Sequence, residues 1–100
     1  MLIRDLEGKT GLDRATIRYY EREGLIAPER KENGYRIYSD DDCKTLQKVT
    51  FLRQLGMSLD RIKALQKGSA DLQAVLSDQI THLNRQIRDA ERAKRVMEAI

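Results

Sequence analysis

A single cysteine, Cys43, in 100 residues rules out an intrachain disulfide and gives no sign of an oxidising compartment. Histidine is equally scarce, with His82 alone, and no glycine-rich phosphate loop is present. One His and one Cys leave no constellation for nucleophilic, metal-assisted or acid–base chemistry, so the chain does not read as an enzyme and implies no cofactor and no metal. Tryptophan is absent and aromatics reach only 5%, which argues against an all-β sandwich. No apolar run approaches the roughly 18 residues of a membrane span, and the N-terminus lacks a signal-peptide core. The expectation is a cytoplasmic protein with no membrane partner.

What is present is charge, at 35% of residues, beside a hydrophobic content of 40% that suffices for a modest core. The net charge is only +3, and its placement says more than its size. Residues 1–68 hold 14 Lys/Arg against 11 Asp/Glu, whereas residues 69–100 hold 5 of each. The basic surplus, and with it any anionic partner, belongs to the first two thirds.

There, Ile3 and Leu6 suit a two-turn helix ending near Gly8, and Gly11 can take the positive φ of a turn. Asp13 stands where an N-cap belongs, opening a second helix from Arg14 to about Glu23. At about 100° per residue, Thr16, Ile17 and Tyr20 fall on a side suited to burial. Arg14, Arg18 and Arg22 form a stripe opposite, with Tyr19 at the edge. Three arginines at this spacing usually make a solvated face. On the second helix of a helix-turn-helix, however, the exposed face is the one that enters the major groove. Gly24 then ends the helix and Pro28 prevents its resumption.

Arg30 to Tyr38 reads as a β-hairpin, with Asn33-Gly34 expected in a type I′ turn. Alternation puts Ile37 toward the core and Arg36 and Tyr38 outward, with Tyr35 near the tip. Such donors suit phosphate oxygens, so the hairpin reads as a DNA-gripping wing.

Ser39 with Asp40, Asp41 and Asp42 is a helix start. The three acids lack the spaced partners of a calcium loop. This helix runs to about Leu55, offering Cys43, Leu46, Val49 and Leu52 for burial and leaving Lys44, Lys48 and Arg53 outside. Gly56 ends it, Ser58 caps the next, and Leu59, Ile62 and Leu65 give that one its apolar face before Gly68. From about Ala70 to Ile100 neither proline nor glycine interrupts the chain. Ile80 and Ile87 fit heptad position a, while Leu76, Leu83, Ala90 and Met97 fit d, with Gln73 and Lys94 as misfits. About 30 residues of helix would be roughly 45 Å long and could not bury that stripe on itself. His82 lies off the stripe, toward solvent.

These fragments, in this order, resemble the DNA-binding half of the MerR family of bacterial transcription regulators. The carrying pieces are Thr10-Gly11-Leu12, Thr16 through Ile26 (TIRYYEREGLI), Asn33 through Tyr38 (NGYRIY) and Phe51 through Leu59 (FLRQLGMSL). The resemblance implies a mostly α fold: a winged helix-turn-helix with a small β-hairpin wing at residues 1–68. A long dimerisation helix at 69–100 would follow, paired as an antiparallel coiled coil. It further implies a homodimer on double-stranded promoter DNA, distorting it so that RNA polymerase can engage. Carried over by position, Arg18 and Tyr19 are recognition-helix contacts, Tyr35, Arg36 and Tyr38 wing contacts, and Arg53 a contact of a second wing. Arg14, Thr16 and Arg22 join them on helix geometry. Leu76, Ile80, Leu83, Ile87, Ala90 and Met97 are the expected dimer stripe.

Metal-sensing members carry cysteines at the start of the dimer helix and in a loop after it, and Cys43 is at neither place. Drug-sensing members continue into an effector domain, whereas this sequence stops at Ile100 inside an uncapped helix. A minimal member and the DNA-binding part of a longer one both remain open readings. A different class also stays open at this stage: a helical adaptor whose C-terminal amphipathic helix docks another protein.

Overall fold

Three helices begin at a side chain that satisfies the free N–H groups of their first turn. The computed structural model describes residues 1–100. It contains α1 (Ile3–Thr10), α2 (Arg14–Arg22), β1 (Glu29–Arg30), β2 (Arg36–Ile37), α3 (Asp40–Gln54), α4 (Leu59–Gln66) and α5 (Leu72–Glu98). Asp13 Oδ1 accepts from the Thr16 N–H at 2.7 Å to start α2. At α3, Ser39 Oγ accepts from the Asp42 N–H while Asp42 Oδ2 accepts from the Ser39 N–H, both at 3.0 Å, closing a capping box. Ser58 Oγ accepts from the Arg61 N–H at 3.3 Å at the start of α4.

The first helix is longer than its apolar spacing suggested. It continues through Gly8 to Thr10 and closes on Gly11, whose φ of 74° lets its N–H reach the Glu7 carbonyl. Thr10 contributes by donating its hydroxyl to the Leu6 carbonyl at 2.7 Å. The last helix starts at Leu72 rather than Ala70.

Helices α1 to α4 converge on one core. Leu6, Ile17, Tyr20, Cys43, Leu46, Val49 and Ile62 are buried as their helical spacing indicated. Leu52, Leu59 and Leu65 pack against them half-exposed. Four buried residues come from connections that periodicity cannot read: Leu25, Ile26, Tyr38 and Met57. The segment after α2 is tied to α4, where Gln66 Nε2 donates to the Leu25 carbonyl at 2.7 Å and Lys63 Nζ meets Glu23 Oε2 at 3.2 Å.

The hairpin corrects two expectations. Only Gly34 has positive φ, at 84°, so the connection is not the type I′ turn, which needs two such residues. Instead the Gly34 N–H donates to the Lys31 carbonyl at 2.8 Å and the Lys31 N–H to the Tyr35 carbonyl at 2.9 Å. Asn33 stays at negative φ and turns its side chain to accept from the Tyr35 N–H at 3.1 Å.

The second correction is the facing. The ladder pairs Glu29 with Ile37 and Arg30 with Arg36, and Tyr38, expected to point outward, is 1% exposed. Arg36 and Tyr38 do share a face, as alternation requires, but that face turns toward α2. A strand phase slipped by one residue exchanges the two faces completely, and a lone Ile between Arg and Tyr does not fix the choice. The larger ring wins the buried side, and Ile37 is left half-buried. Beyond the ladder, the Tyr38 N–H donates to the Met1 carbonyl at 2.8 Å, which locks the chain start to the hairpin.

Helix α5 serves two surfaces. Val75 and Gln79, one turn apart, are buried against the domain, and Gln79 Nε2 donates to the Gly56 carbonyl at 3.0 Å. Leu76 and Ile80 lie about 100° further round and are exposed. From Ile80 to Ile100 every residue is exposed, and the molecule measures 64 Å along its longest axis.

Candidate nucleic-acid interface

The exposed side of α2 carries the arginine stripe, and its three members differ in what surrounds them. Arg14 Nη2 meets Glu7 Oε1 at 3.1 Å, an exposed pair that contributes at most about 1 kcal/mol. Arg18 is exposed and makes no side-chain hydrogen bond or ion pair within the chain, leaving its whole guanidinium available. Arg22 rests its guanidinium carbon 6.0 Å from the centre of the Tyr19 ring, at the outer range of a cation–π contact. Thr16 is half-buried at the N-terminal end of the same helix.

Tyr19 and Tyr20 divide as their helical positions require. Tyr20 is buried, Tyr19 is 42% exposed, and their ring centres lie 5.7 Å apart. The Glu23 carboxylate beside it holds the Tyr19 phenol above its ordinary range. Lys63 and, more weakly, Tyr19 hold Glu23 below the usual carboxylate range. Lys63 and Arg53 both lie close enough to Tyr19 to act on it electrostatically. Through the Lys63–Glu23 pair, α4 borders the C-terminal end of α2. Arg53 itself is exposed and donates from Nη1 to the Met57 carbonyl at 3.3 Å, bracing the α3–α4 turn.

On the other flank, the hairpin leans over α2. Tyr35 at its tip is 68% exposed. Arg36, expected to face outward, is half-buried, with Nε donating to Glu21 Oε1 at 2.9 Å. Tyr38, the remaining expected wing contact, has its ring in the core. Its hydroxyl reaches Glu21 Oε1 at 3.4 Å. Burial first, and the Glu21 charge second, push the Tyr38 phenol above its ordinary range. Tyr38 is thus turned inward and almost fully buried, not facing outward as expected.

Between α1, α2 and the hairpin tip lies an open cleft of about 520 Å³, lined by Arg4, Arg14, Arg18 and Arg36 together with Leu2, Ile3, Gly34, Tyr35 and Tyr38. Four arginines line this one cleft, Arg14 and Arg36 each paired with a carboxylate and Arg18 unpaired, and planar forked donors of this kind match anionic oxygens well. Arg4 was absent from the sequence reading. It sits off the α1 face that carries Leu6, and only the folding of α1 beside the hairpin makes it a neighbour of the α2 stripe. Glu21 and Lys63 were likewise visible only as charges. Nothing local marks either as a bridge between elements far apart in sequence. The expected dimer residues Leu76, Ile80, Leu83, Ile87 and Met97 are exposed, at 37% for Leu83 and 73% for Met97, as is Ala90.

Comparison with known proteins gives a consistent picture. Residues 1–69 match the family model described as MerR HTH family regulatory protein, and residues 43–100 that described as MerR, DNA binding. The HTH-type transcriptional regulator HmrR of Rhizobium leguminosarum bv. viciae is 35% identical over 98% of this chain and 81% of its own length. Another relative, heavy metal-dependent transcription regulator 1 of Rhizobium meliloti, is covered over only 58% of its length. Among solved structures, the N-terminal part of MtaN, the Bacillus subtilis multidrug transporter activator, superposes with a TM-score of 0.86. It is 25% identical, over 98% of this chain and 94% of that one. HiNmlR, described as a MerR family regulator lacking the sensor domain and bound to promoter DNA, aligns with a TM-score of 0.67. Its identity is 29%, over 92% of this chain and 76% of that one. These matches favour DNA binding over the adaptor reading.

Proposed function

The chain belongs to the MerR family of DNA-binding transcription regulators, and on that premise we propose that it grips promoter DNA as a homodimer and distorts it to control initiation by RNA polymerase. In this reading residues 1–68 form the DNA-binding unit and residues 69–100 the dimerisation helix, working in the cytoplasm and performing no catalysis. The observation that carries it is the cleft where Arg4, Arg14, Arg18 and Arg36 converge between the recognition helix and the hairpin.

Arg18 and Tyr19 are the base-reading candidates, being exposed on the face of α2 that would enter the groove. Arg14, Thr16, Arg22, Tyr35 and Arg36 would grip phosphates around them, with Arg53 reaching the backbone from the α3–α4 turn. Such contacts fix position and register. The deformation of the duplex between half-sites supplies further sequence preference. The dimer would form through Leu76, Ile80, Leu83, Ile87, Ala90 and Met97. An isolated helix with such a stripe exposed leaves apolar surface that an antiparallel copy would cover.

Salt dependence tests the reading directly. If a dimer neutralises about 6–10 phosphates, log affinity for duplex DNA should fall with log salt at a slope of roughly 0.9 per phosphate. An affinity indifferent to salt would overturn it. Fragments selected from random duplex by the chain should carry inverted half-sites, as a two-fold dimer requires.

A further inference from the structure

Glu21 is a carboxylate on the recognition helix, close to where a polyanion would bind, and alone it would repel the ligand. Charges within about 10 Å still interact at ordinary salt. Its surroundings give it another task. Its side chain is 16% exposed, and both of its oxygens accept from Arg36 Nε, at 2.9 and 3.1 Å. The Tyr38 hydroxyl adds a longer contact at 3.4 Å. These are the only side-chain hydrogen bonds between α2 and the hairpin, and all of them end on this one carboxylate.

The geometry at Arg36 is selective. Glu21 takes the Nε proton, while the Nη groups make no hydrogen bond within the protein, and Arg36 lines the cleft shared with Arg4, Arg14 and Arg18. A guanidinium held by one edge keeps its other donors in a fixed plane, which is how arginine presents a fork to an anion. Tyr38 is itself fixed by the core and by the Met1 backbone, so the hairpin is held both at its base and at Glu21.

We infer that Glu21 is a positioning residue for DNA binding: it anchors Arg36 through Nε so that the Nη donors are presented to a backbone phosphate in the four-arginine cleft. This rests on the reading of the cleft as a DNA contact and adds a prediction opposite to simple electrostatics. Removing a negative charge beside bound DNA should tighten binding by weakening repulsion. Removing Glu21 should weaken it, because Arg36 and the hairpin lose their orientation.

The test uses the whole chain and a fluorescent duplex selected from random sequence by the wild type, with anisotropy read at about 0.15 M salt. Glu21→Gln should bind about 5- to 20-fold more weakly, in line with the loss of one charged hydrogen-bond partner. Glu7→Gln, which releases exposed Arg14 from its acid, should bind at least as tightly as the wild type. In an Arg36→Gln background, Glu21→Gln should cause no further loss, since the effect passes through Arg36. Glu21→Gln binding as well as Glu7→Gln would overturn the inference, as would a full Glu21 effect persisting without Arg36. Should Glu21→Gln unfold by circular dichroism, Arg36→Lys decides the matter. It keeps the charge but has no second edge, so it should bind several-fold more weakly, and wild-type affinity would overturn the inference. A wild-type chain whose binding ignores salt would instead overturn the parent reading, and this one with it.

Discussion

The N-terminal helices and the distal half of α5 are built from similar local signals, yet they end in opposite states. In α1 to α4, apolar residues at helical spacing meet others from neighbouring elements, and Leu6, Ile17 and Leu46 reach 0% exposure. In α5, the stripe from Ile80 to Met97, interrupted only by Lys94, stays exposed. Both stretches obey the same periodicity, so the difference lies in what stands opposite. The first region closes on itself because short helices, broken by Gly11, Gly24 and Gly56, fold back on one another. The second has no break and no partner in its own chain. Burial is therefore concentrated in the domain, while the distal half of α5 keeps its apolar stripe exposed.

This contrast can be broken at several points. The largest effect is expected from Ile87→Glu, which places a charge in the exposed stripe. Sedimentation should show a monomer, and affinity for a two-half-site duplex should drop about 10²–10⁴-fold as the second grip becomes independent. Helix content and domain stability should barely change, and an unaltered dimer would erase the distinction between the two regions. Next comes Leu46→Ala, inside the closed core, which should cost about 2–5 kcal/mol in denaturant unfolding. A loss below about 1 kcal/mol would mean that this core is looser than its burial indicates. Smaller is Arg18→Ala, which should leave unfolding unchanged and lower DNA affinity by about 1–3 kcal/mol if the guanidinium reads a base.

The smallest effect is one of pH. The Asp13 carboxyl is held low chiefly by its hydrogen bond from Thr16, and Glu23 chiefly by Lys63. A folded-state value below the unfolded one means stabilisation that is complete above the ordinary values of 3.8 and 4.5 and lost as pH falls through the lower folded values. Asp13→Asn and Glu23→Gln should each lose less thermal stability than the wild type when pH is taken from about 5 to about 3. Tyr19 and Tyr38 run the other way. Their raised phenols favour the folded state fully below the ordinary value of 10.0, and that support fades above it.

Much of this could be read along the chain. Caps at Asp13, Ser39 and Ser58 placed three helix starts, because an N-cap is a contact between residues three apart. The buried faces of α2 and α3 followed from spacing alone, and so did the division of Tyr19 from Tyr20. The errors cluster in the hairpin. Asn33-Gly34 announced a turn, but whether Asn33 takes positive φ depends on the loop around it. Arg36-Ile37-Tyr38 announced alternation, but not which face α2 would cover. The placement of the side chains around the cleft differs accordingly from what alternation suggested. Tyr38 moved into the core, Arg36 became half-buried beside Glu21, and Arg4 joined from an element with no motif of its own.

What the sequence determined by itself was local: where most helices start, which side of each is apolar, where the basic surplus lies, and that one long unbroken helix, Leu72–Glu98, closes the chain. Those properties rest on interactions spanning at most a turn or two, and on a family pattern that short motifs carry. Only the tertiary structure decided that Glu21 would clamp the hairpin, that Gln79 would close on Gly56, and that four arginines from three elements would share one cleft. Each of these joins groups brought together by packing, and packing depends on the shape of every neighbour at once, which no single stretch of chain contains.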